Sequence, residues 1–152
     1  MKKTEDLPII LQHLGSAISE IDAIVEDAPG SWKFFFVDGY SIKLNLSNDQ
    51  NKIVLMAILG FPDSDSECEV LKTLLCYQLI WRGVYEPRIG LDAELGALIC
   101  WCEFEADNLN NPDFEDYLLN FWLQSATLTE MVSEGIPLPL PAVVAEIYHL
   151  HA

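Results

Sequence analysis

The segment WKFFFVDGYSIKLNL, at residues 32–46, has the clearest strand and turn pattern in the sequence. Its centre, Asp38-Gly39, is a pair typical of a tight β-hairpin turn. From Tyr40 to Leu46 apolar and polar residues alternate, as they do in a strand that buries one face. The stretch therefore predicts a hairpin, which the next apolar run extends to an antiparallel meander with strands at 32–37, 40–46 and 53–59.

Helices are predicted on both sides of the meander. Apolar residues recur at intervals of three and four from Leu7 to Val25, which predicts a first helix over this whole range. Farther along the chain, helix-capping residues, apolar spacing and turn residues predict three more elements. These are a helix at 66–82, a hairpin with strands at 88–92 and 97–105, and a helix at 112–133. The order α-β-β-β-α-β-β-α predicts an α+β domain at 1–135, in which helices pack on a twisted antiparallel sheet, and a Pro-rich tail with a short apolar segment at 136–152.

The chain is strongly acidic. It has 152 residues, 51% of them hydrophobic, and 24 Asp and Glu against 8 Lys and Arg, for a formal net charge of −16. No Lys or Arg follows Arg88, whereas eleven acidic residues lie between Asp92 and Glu146. A field of this sign repels nucleic acid and anionic membrane surfaces and favours basic partners. A second interpretation is that the charge keeps the protein soluble.

The sequence predicts a cytoplasmic protein. The N-terminus MKKTED is not followed by the apolar core of a signal peptide. The apolar runs are too short to cross a bilayer, so no membrane insertion is expected. No Cys-x-x-Cys motif occurs, and buried thiols in a reducing compartment are expected at Cys68, Cys76, Cys100 and Cys102.

We expect no catalytic residue, no cofactor and no metal site, and therefore no enzyme. The histidines, at 13, 149 and 151, do not combine with cysteines at the spacing of a zinc site. Phosphate-binding Gly-x-x-x-x-Gly-Lys, nucleophile-elbow Gly-x-Ser-x-Gly and dinucleotide-binding Gly-x-Gly-x-x-Gly motifs do not occur. Paired acids such as Glu103 and Glu105 are expected on a solvated strand face.

Several predicted helices and strands have apolar residues on two faces. An element that the rest of the domain covers on one side needs only one apolar face. The strand at 32–37 has three aromatic residues on one face and Phe35 and Val37 on the other, and the helix at 66–82 has two apolar stripes. One interpretation is a thick monomer core, covered by the last helix and the tail. The other is a pair of interfaces: a self-association surface on the helix at 66–82, and a groove beside the meander for an extended peptide.

Three short segments, in this order of elements, carry a family resemblance. LLCYQL at 74–79, RIGLD at 88–92 and ELGALI at 94–99 resemble the class I chaperones of bacterial type III secretion, the Tir-chaperone (CesT-like) family. The resemblance runs from the first helix to about Val132. It implies an ATP-independent homodimer in the bacterial cytoplasm that binds the N-terminal region of a secreted effector in extended form. Such binding keeps the effector stable and secretion-competent.

The family resemblance and the elements with two apolar faces together predict two interaction surfaces. The dimer interface is expected on the second helix and the strand after it, at Val70, Leu71, Leu74, Leu75, Gln78, Leu79, Ile89 and Leu91. Effector binding is expected near the first helix and the meander, at Leu11, Leu14, Ile18, Trp32, Phe34, Phe36, Val54, Met56 and Ile58. The charge suggests an alternative, an acidic inhibitor or immunity-type protein that blocks a basic partner.

Overall fold

The computed structural model describes residues 7–47, 51–80 and 86–135, except the side chain of Ile80. Within these residues, three helices and an antiparallel sheet confirm the α+β class, and the second hairpin has the predicted bounds. The elements are α1 (Leu7–Ala17), β1 (Ile21–Ala28), β2 (Ser31–Phe36), β3 (Ser41–Ser47), β4 (Lys52–Gly60), α2 (Glu67–Ile80), β5 (Arg88–Asp92), β6 (Ala97–Glu105), a 3₁₀ helix (Ala106–Asn110) and α3 (Phe114–Glu134).

The six strands form one sheet in the order β1-β2-β3-β4-β6-β5, so β1 and β5 are its edges. The pairs β1–β2, β2–β3, β3–β4 and β5–β6 are antiparallel. The described residues divide into two compact units. The first unit comprises those up to Ala57 together with Cys102–Gln124, and the second comprises Ile58–Trp101 together with those from Ser125 onward.

The prediction of a first helix as far as Val25 is wrong, because α1 ends at Ala17 and the sheet has one more strand than predicted. The order of elements is therefore α-β-β-β-β-α-β-β-α, apart from the 3₁₀ helix. Ile21 and Val25 continue the helical spacing, which is why the pattern suggested a longer helix. The segment from Ile21 to Val25 also has three β-branched residues, which favour a strand, and β2 lies beside it as a pairing partner.

Strand β1 is an irregular edge. Its register against β2 shifts between Ile21 and Ala23, and again between Glu26 and Ala28. Shifts of this kind are β-bulges, which bend a strand and increase its twist. The strand also carries acidic side chains at Asp22, Glu26 and Asp27. This edge of the first unit is therefore both bent and negatively charged.

The turn between β2 and β3 lies where Asp38-Gly39 predicted it. The Phe36 N–H donates to the Tyr40 carbonyl oxygen, and the Gly39 N–H donates to the Phe36 carbonyl oxygen, both at 2.9 Å. These bonds enclose a loop of three residues, one more than in the two-residue loops of which an Asp-Gly pair is typical. Gly39 has a φ of 87°, a conformation that strains residues with a side chain.

The core of the first unit lies on one face of its strands. Phe34, Ile42 and Leu55 are fully buried there. The first part of α3 contributes Trp122, whose ring stacks on Phe36 with centroids 4.7 Å apart and an interplanar angle of 6°. Helix α1 contributes the buried side chains of Leu7, Leu11 and Leu14.

In the second unit, α2 packs beside the β5–β6 hairpin. Val70 and Leu74 of α2 are buried, and the Gln78 side-chain oxygen accepts a hydrogen bond from the Ile89 N–H at 3.0 Å. The predicted end of this helix near Arg82 lies outside the described residues. The predicted tail at 136–152 also lies outside them, so the domain boundary at residue 135 remains a prediction.

Candidate interaction surfaces

One face of the sheet in the first unit is accessible to solvent. Val25 lies opposite Lys33, Lys33 opposite Lys43, and Lys43 opposite Met56, so these four side chains form one row across β1, β2, β3 and β4. Phe35 follows Lys33 on the same face of β2 and is exposed, as is Val25. We call the surface formed by Val25, Lys33, Phe35, Lys43, Val54 and Met56 the open face.

The residues predicted to bind an effector fall into two groups. Val54 and Met56 are half-buried and Ile58 is exposed, all on the strand face opposite the core. The structure places the remaining six in the core of the first unit, and each is less than a tenth exposed: Leu11, Leu14, Ile18, Trp32, Phe34 and Phe36. The sequence showed that β2 and β4 have two apolar faces, but not which face the chain itself covers.

The open face carries positive charge in a chain with a strongly negative total. Lys43 Nζ lies 3.1 Å from Asp27 Oδ2, with the two side chains 37% and 39% exposed. Hydrogen bonds from Ser31 and then from Lys43 lower the pKa of Asp27 below its ordinary value. Lys33 has no carboxylate within ion-pair distance among the described residues, and its Nζ lies 5.1 Å from the centre of the Phe35 ring.

A third lysine of the same strands, Lys52, is held by an acid. Its Nζ lies 2.7 Å from Glu103 Oε1, and this hydrogen bond, followed by the attraction of the two charges, raises the pKa of Lys52. Lys33, Lys43 and Lys52 are the only cationic side chains among the described residues of the first unit, and all three lie on the strand face opposite the core.

The second unit has an apolar surface of its own on α2 and β5. Leu75 and Leu79 of α2 are 65% and 51% exposed, and Leu91 of β5 is 62% exposed. The hydrogen bond from Ile89 to Gln78 links the two elements, and Leu91 lies on the same strand face as Ile89. We call Leu71, Leu75, Leu79 and Leu91 the α2–β5 patch.

The structure separates the residues predicted for the dimer interface by their exposure. Val70 and Leu74 are fully buried within the second unit and form part of its core. Leu71, Gln78 and Ile89 are half-buried. The second apolar stripe of the helix, which the sequence indicated from Leu71 through Leu75 to Leu79, is therefore the accessible one.

Four residues of the open face were missed by sequence reasoning: Val25, Lys33, Phe35 and Lys43. Phe35 and Lys33 could have been found, because they alternate with the buried aromatic residues of β2. Val25 could not, because its spacing placed it in the predicted helix. The pairing of Lys33 with Lys43 depends on the hairpin register, which the three-residue turn sets.

The four cysteines all lie among the described residues and differ in burial. None of the four forms a disulfide, Cys100 and Cys102 are buried as predicted, and Cys76 is half-buried. Cys68 is exposed, contrary to prediction, because it lies in the outward-facing first turn of α2. Burial raises the pKa of Cys102 to about 11, and the Tyr117 hydroxyl donates to its sulfur at 2.9 Å. A thiol with so high a pKa is protonated at neutral pH and is a poor nucleophile.

In residues 7–47, 51–80 and 86–135, no cluster of three or more His, Cys, Asp or Glu side chains could hold a metal ion. Within the same ranges, no helix has the length and hydropathy needed to cross a bilayer.

Comparison with known proteins identifies the class. A sequence model of the Tir chaperone protein (CesT) family matches residues 10–128. Because this match covers well over half of the chain, the chain belongs to the Tir chaperone (CesT) family, as the resemblance indicated. No relative is found among curated proteins.

Two solved structures have the same fold. One is the structure of the HopA1–SchA chaperone–effector complex, with a TM-score of 0.59 and 17% identity over 82% of this chain and 93% of that chain. The other is the crystal structure of the ExsC–ExsE complex, with a TM-score of 0.64 and 15% identity over 87% of this chain and 97% of that chain.

Proposed function

We propose that this protein is a type III secretion chaperone that acts without ATP in the bacterial cytoplasm. It binds the N-terminal region of a secreted effector in extended form and keeps that region stable and secretion-competent. The observation that carries the proposal is the match of residues 10–128 to the Tir chaperone family. The fold shared with a protein solved in a chaperone–effector complex supports it.

The client surface in this proposal is the open face of the first unit. Phe35 and Val25 present apolar surface to solvent, and Val54 and Met56 are half-buried beside them. Exposed apolar side chains that share one strand face are typical of a surface that binds another chain. An extended segment can lay alternate side chains on such a face, because its own side chains repeat every second residue.

The proposed chaperone is a homodimer that associates through the α2–β5 patch. Three of its leucines are more than half exposed in the single chain, although leucine is usually buried. Covering them with a second copy would remove this apolar surface from water, which is the main favourable contribution to most protein association.

The alternative, an acidic inhibitor of a basic partner, has the net charge of −16 in its favour. The two functions differ in their response to salt. Binding led by charge weakens strongly at about 0.5 M NaCl, where the Debye length falls to about 4 Å, whereas binding by apolar contacts persists.

The test is affinity capture from the lysate of the native host, with washes at about 0.5 M NaCl. We expect one or a few secreted proteins to be retained, and protease protection to map the bound segment to the N-terminal region of each. Met56→Glu on the open face should reduce retention, whereas Leu95→Glu, at an exposed leucine in the β5–β6 turn, should not. Retention of a basic partner that high salt removes, or protection of a folded domain, would contradict the proposal.

A further inference from the structure

The row of four side chains on the open face has an unusual arrangement of charge. Lys33 and Lys43 are direct partners in the β2–β3 register, and apolar residues, Val25 and Met56, stand at the two ends of the row. Like charges directly opposite each other on neighbouring strands are destabilising. Cations are scarce in the first unit, since its described residues include only one other, Lys52. Two of the three nevertheless lie directly opposite each other.

Among the described residues, a carboxylate balances only one of the two opposed ammonium groups. Asp27 lies 3.1 Å from Lys43, and Glu103 lies 2.7 Å from Lys52, whereas Lys33 has no carboxylate at ion-pair distance among the described residues. The ammonium group of Lys33 lies instead 5.1 Å from the centre of the Phe35 ring. The open face therefore combines a cation with no acidic partner in the described part of the chain and apolar surface on both sides.

We infer that the open face selects a client segment in which a carboxylate is flanked by apolar side chains. The carboxylate would lie over Lys33, while the flanking side chains would contact Phe35, Val25 and Met56. With Asp27 on Lys43, this would give each of the two opposed lysines one acidic partner. The inference rests on the proposed function and names the chemistry of the client that this surface fits.

The net charge of the chain favours the opposite kind of peptide. A net charge of −16 repels an acidic peptide at long range and attracts a basic one. At contact distance the local charge decides, because charges farther apart than about 8 Å are screened at physiological ionic strength. A preference for an acidic peptide would therefore come from this surface and not from the charge of the whole protein.

The experiment compares three short blocked peptides of alternating Val and Thr, which differ only in a central Glu, Gln or Lys. Their Kd values for the full chain are measured by fluorescence anisotropy at physiological salt. We expect the Glu peptide to bind tightest and the Lys peptide weakest, with about a threefold to fivefold difference between the Glu and Gln peptides.

Variants of the lysine pair make the test specific. Lys33→Glu should reverse the order, so that the Lys peptide binds tightest, and Lys33→Gln should abolish the preference. Asp27→Asn should strengthen the preference for Glu, because it frees Lys43. Lys72→Glu, at an exposed lysine on α2 that pairs with Glu69, is the matched control and should leave the order unchanged.

The inference would be overturned if the Lys peptide bound the wild type tightest, if the three peptides bound equally or not at all, or if Lys33→Glu left the order unchanged. Failure of the proposed function is a separate result, since it is read from the lysate capture. A captured N-terminal segment whose binding is insensitive to Lys33→Glu would leave the chaperone function standing and refute the acidic preference.

Discussion

Among single residues, Gly135 shows most directly why a position in this fold requires glycine. It follows the last residue of α3, has a φ of 66°, and its N–H donates to the Met131 carbonyl oxygen at 2.9 Å. A Cβ atom placed on it would lie 2.5 Å from Ser66 Oγ and 2.9 Å from Ser66 Cβ. Both the backbone conformation and the close approach to Ser66 therefore require glycine.

Gly135→Ala should lower the free energy of unfolding by about 2–4 kcal/mol, of which about 1 kcal/mol comes from the positive φ and the rest from overpacking. Gly96→Ala is the matched control: Gly96 has a φ of 71° and a similar N–H bond to Asp92, but no atom lies within 4 Å of the added Cβ. It should cost only about 1 kcal/mol.

Urea denaturation followed by circular dichroism measures both losses. In a Ser66→Gly background, the cost of Gly135→Ala should fall to that of Gly96→Ala. Equal costs for the two glycines in the wild-type background would show that the contact with Ser66 contributes nothing.

Among the elements, α3 is joined to the β2–β3 turn through the side chain of Trp122. The Trp122 indole N–H donates to Asp38 Oδ2 at 3.0 Å, while Asp38 Oδ1 accepts the Tyr40 N–H at 3.0 Å. The stacking of Trp122 on Phe36 completes the contact. Asp38 therefore stabilises the turn itself and also joins it to the helix.

A double-mutant cycle of Trp122→Phe and Asp38→Ala should give a coupling energy of about 1–2 kcal/mol, since the hydrogen bond has a charged acceptor. Trp122→Phe keeps an aromatic ring next to Phe36, and the loss of the Tyr40 bond in Asp38→Ala cancels across the cycle. The measurement is again urea denaturation. Additive effects would mean that the bond contributes no net stability.

The elements also show how far the sequence could predict the fold. The hairpin at β5 and β6 was found to the residue, because its two strand segments flank a short loop that ends in Gly96. Strand β1 was missed, because Ile21 and Val25 fit a helix and a strand equally well. Its formation depends on β2 as a neighbour, and a contact between segments is not encoded in local periodicity.

Helix α2 has two apolar stripes, and only one of them packs inside the second unit. The sequence indicated two apolar stripes on α2 but not which of them packs inside. In the structure Val70 and Leu74 are buried, and Leu75 and Leu79 are exposed. Burial depends on how elements pack in three dimensions, so only the structure could separate the two stripes.

Leu75→Asp should convert a dimer, with a mass near twice 17.1 kDa, into a monomer in size-exclusion chromatography with light scattering. An Asp at the centre of an apolar interface would be desolvated without a partner. Because Leu75 is 65% exposed in the single chain, cooperative unfolding should be retained. Leu95→Asp, at a leucine 63% exposed in the β5–β6 turn, is the control and should remain dimeric.

A wild-type protein that is monomeric at micromolar concentration would refute the proposed dimer. Loss of cooperative unfolding in Leu75→Asp would mean that this side chain belongs to the core of the subunit and not to an interface.

The bent, acid-bearing strand β1 has a consequence for how such a protein behaves when abundant. The unpaired backbone of an edge strand can recruit further strands and begin the growth of fibrils. Two register shifts interrupt that template in β1, and Asp22, Glu26 and Asp27 would face like charges in a second copy. This edge of the sheet therefore resists joining an aggregate when the protein is abundant.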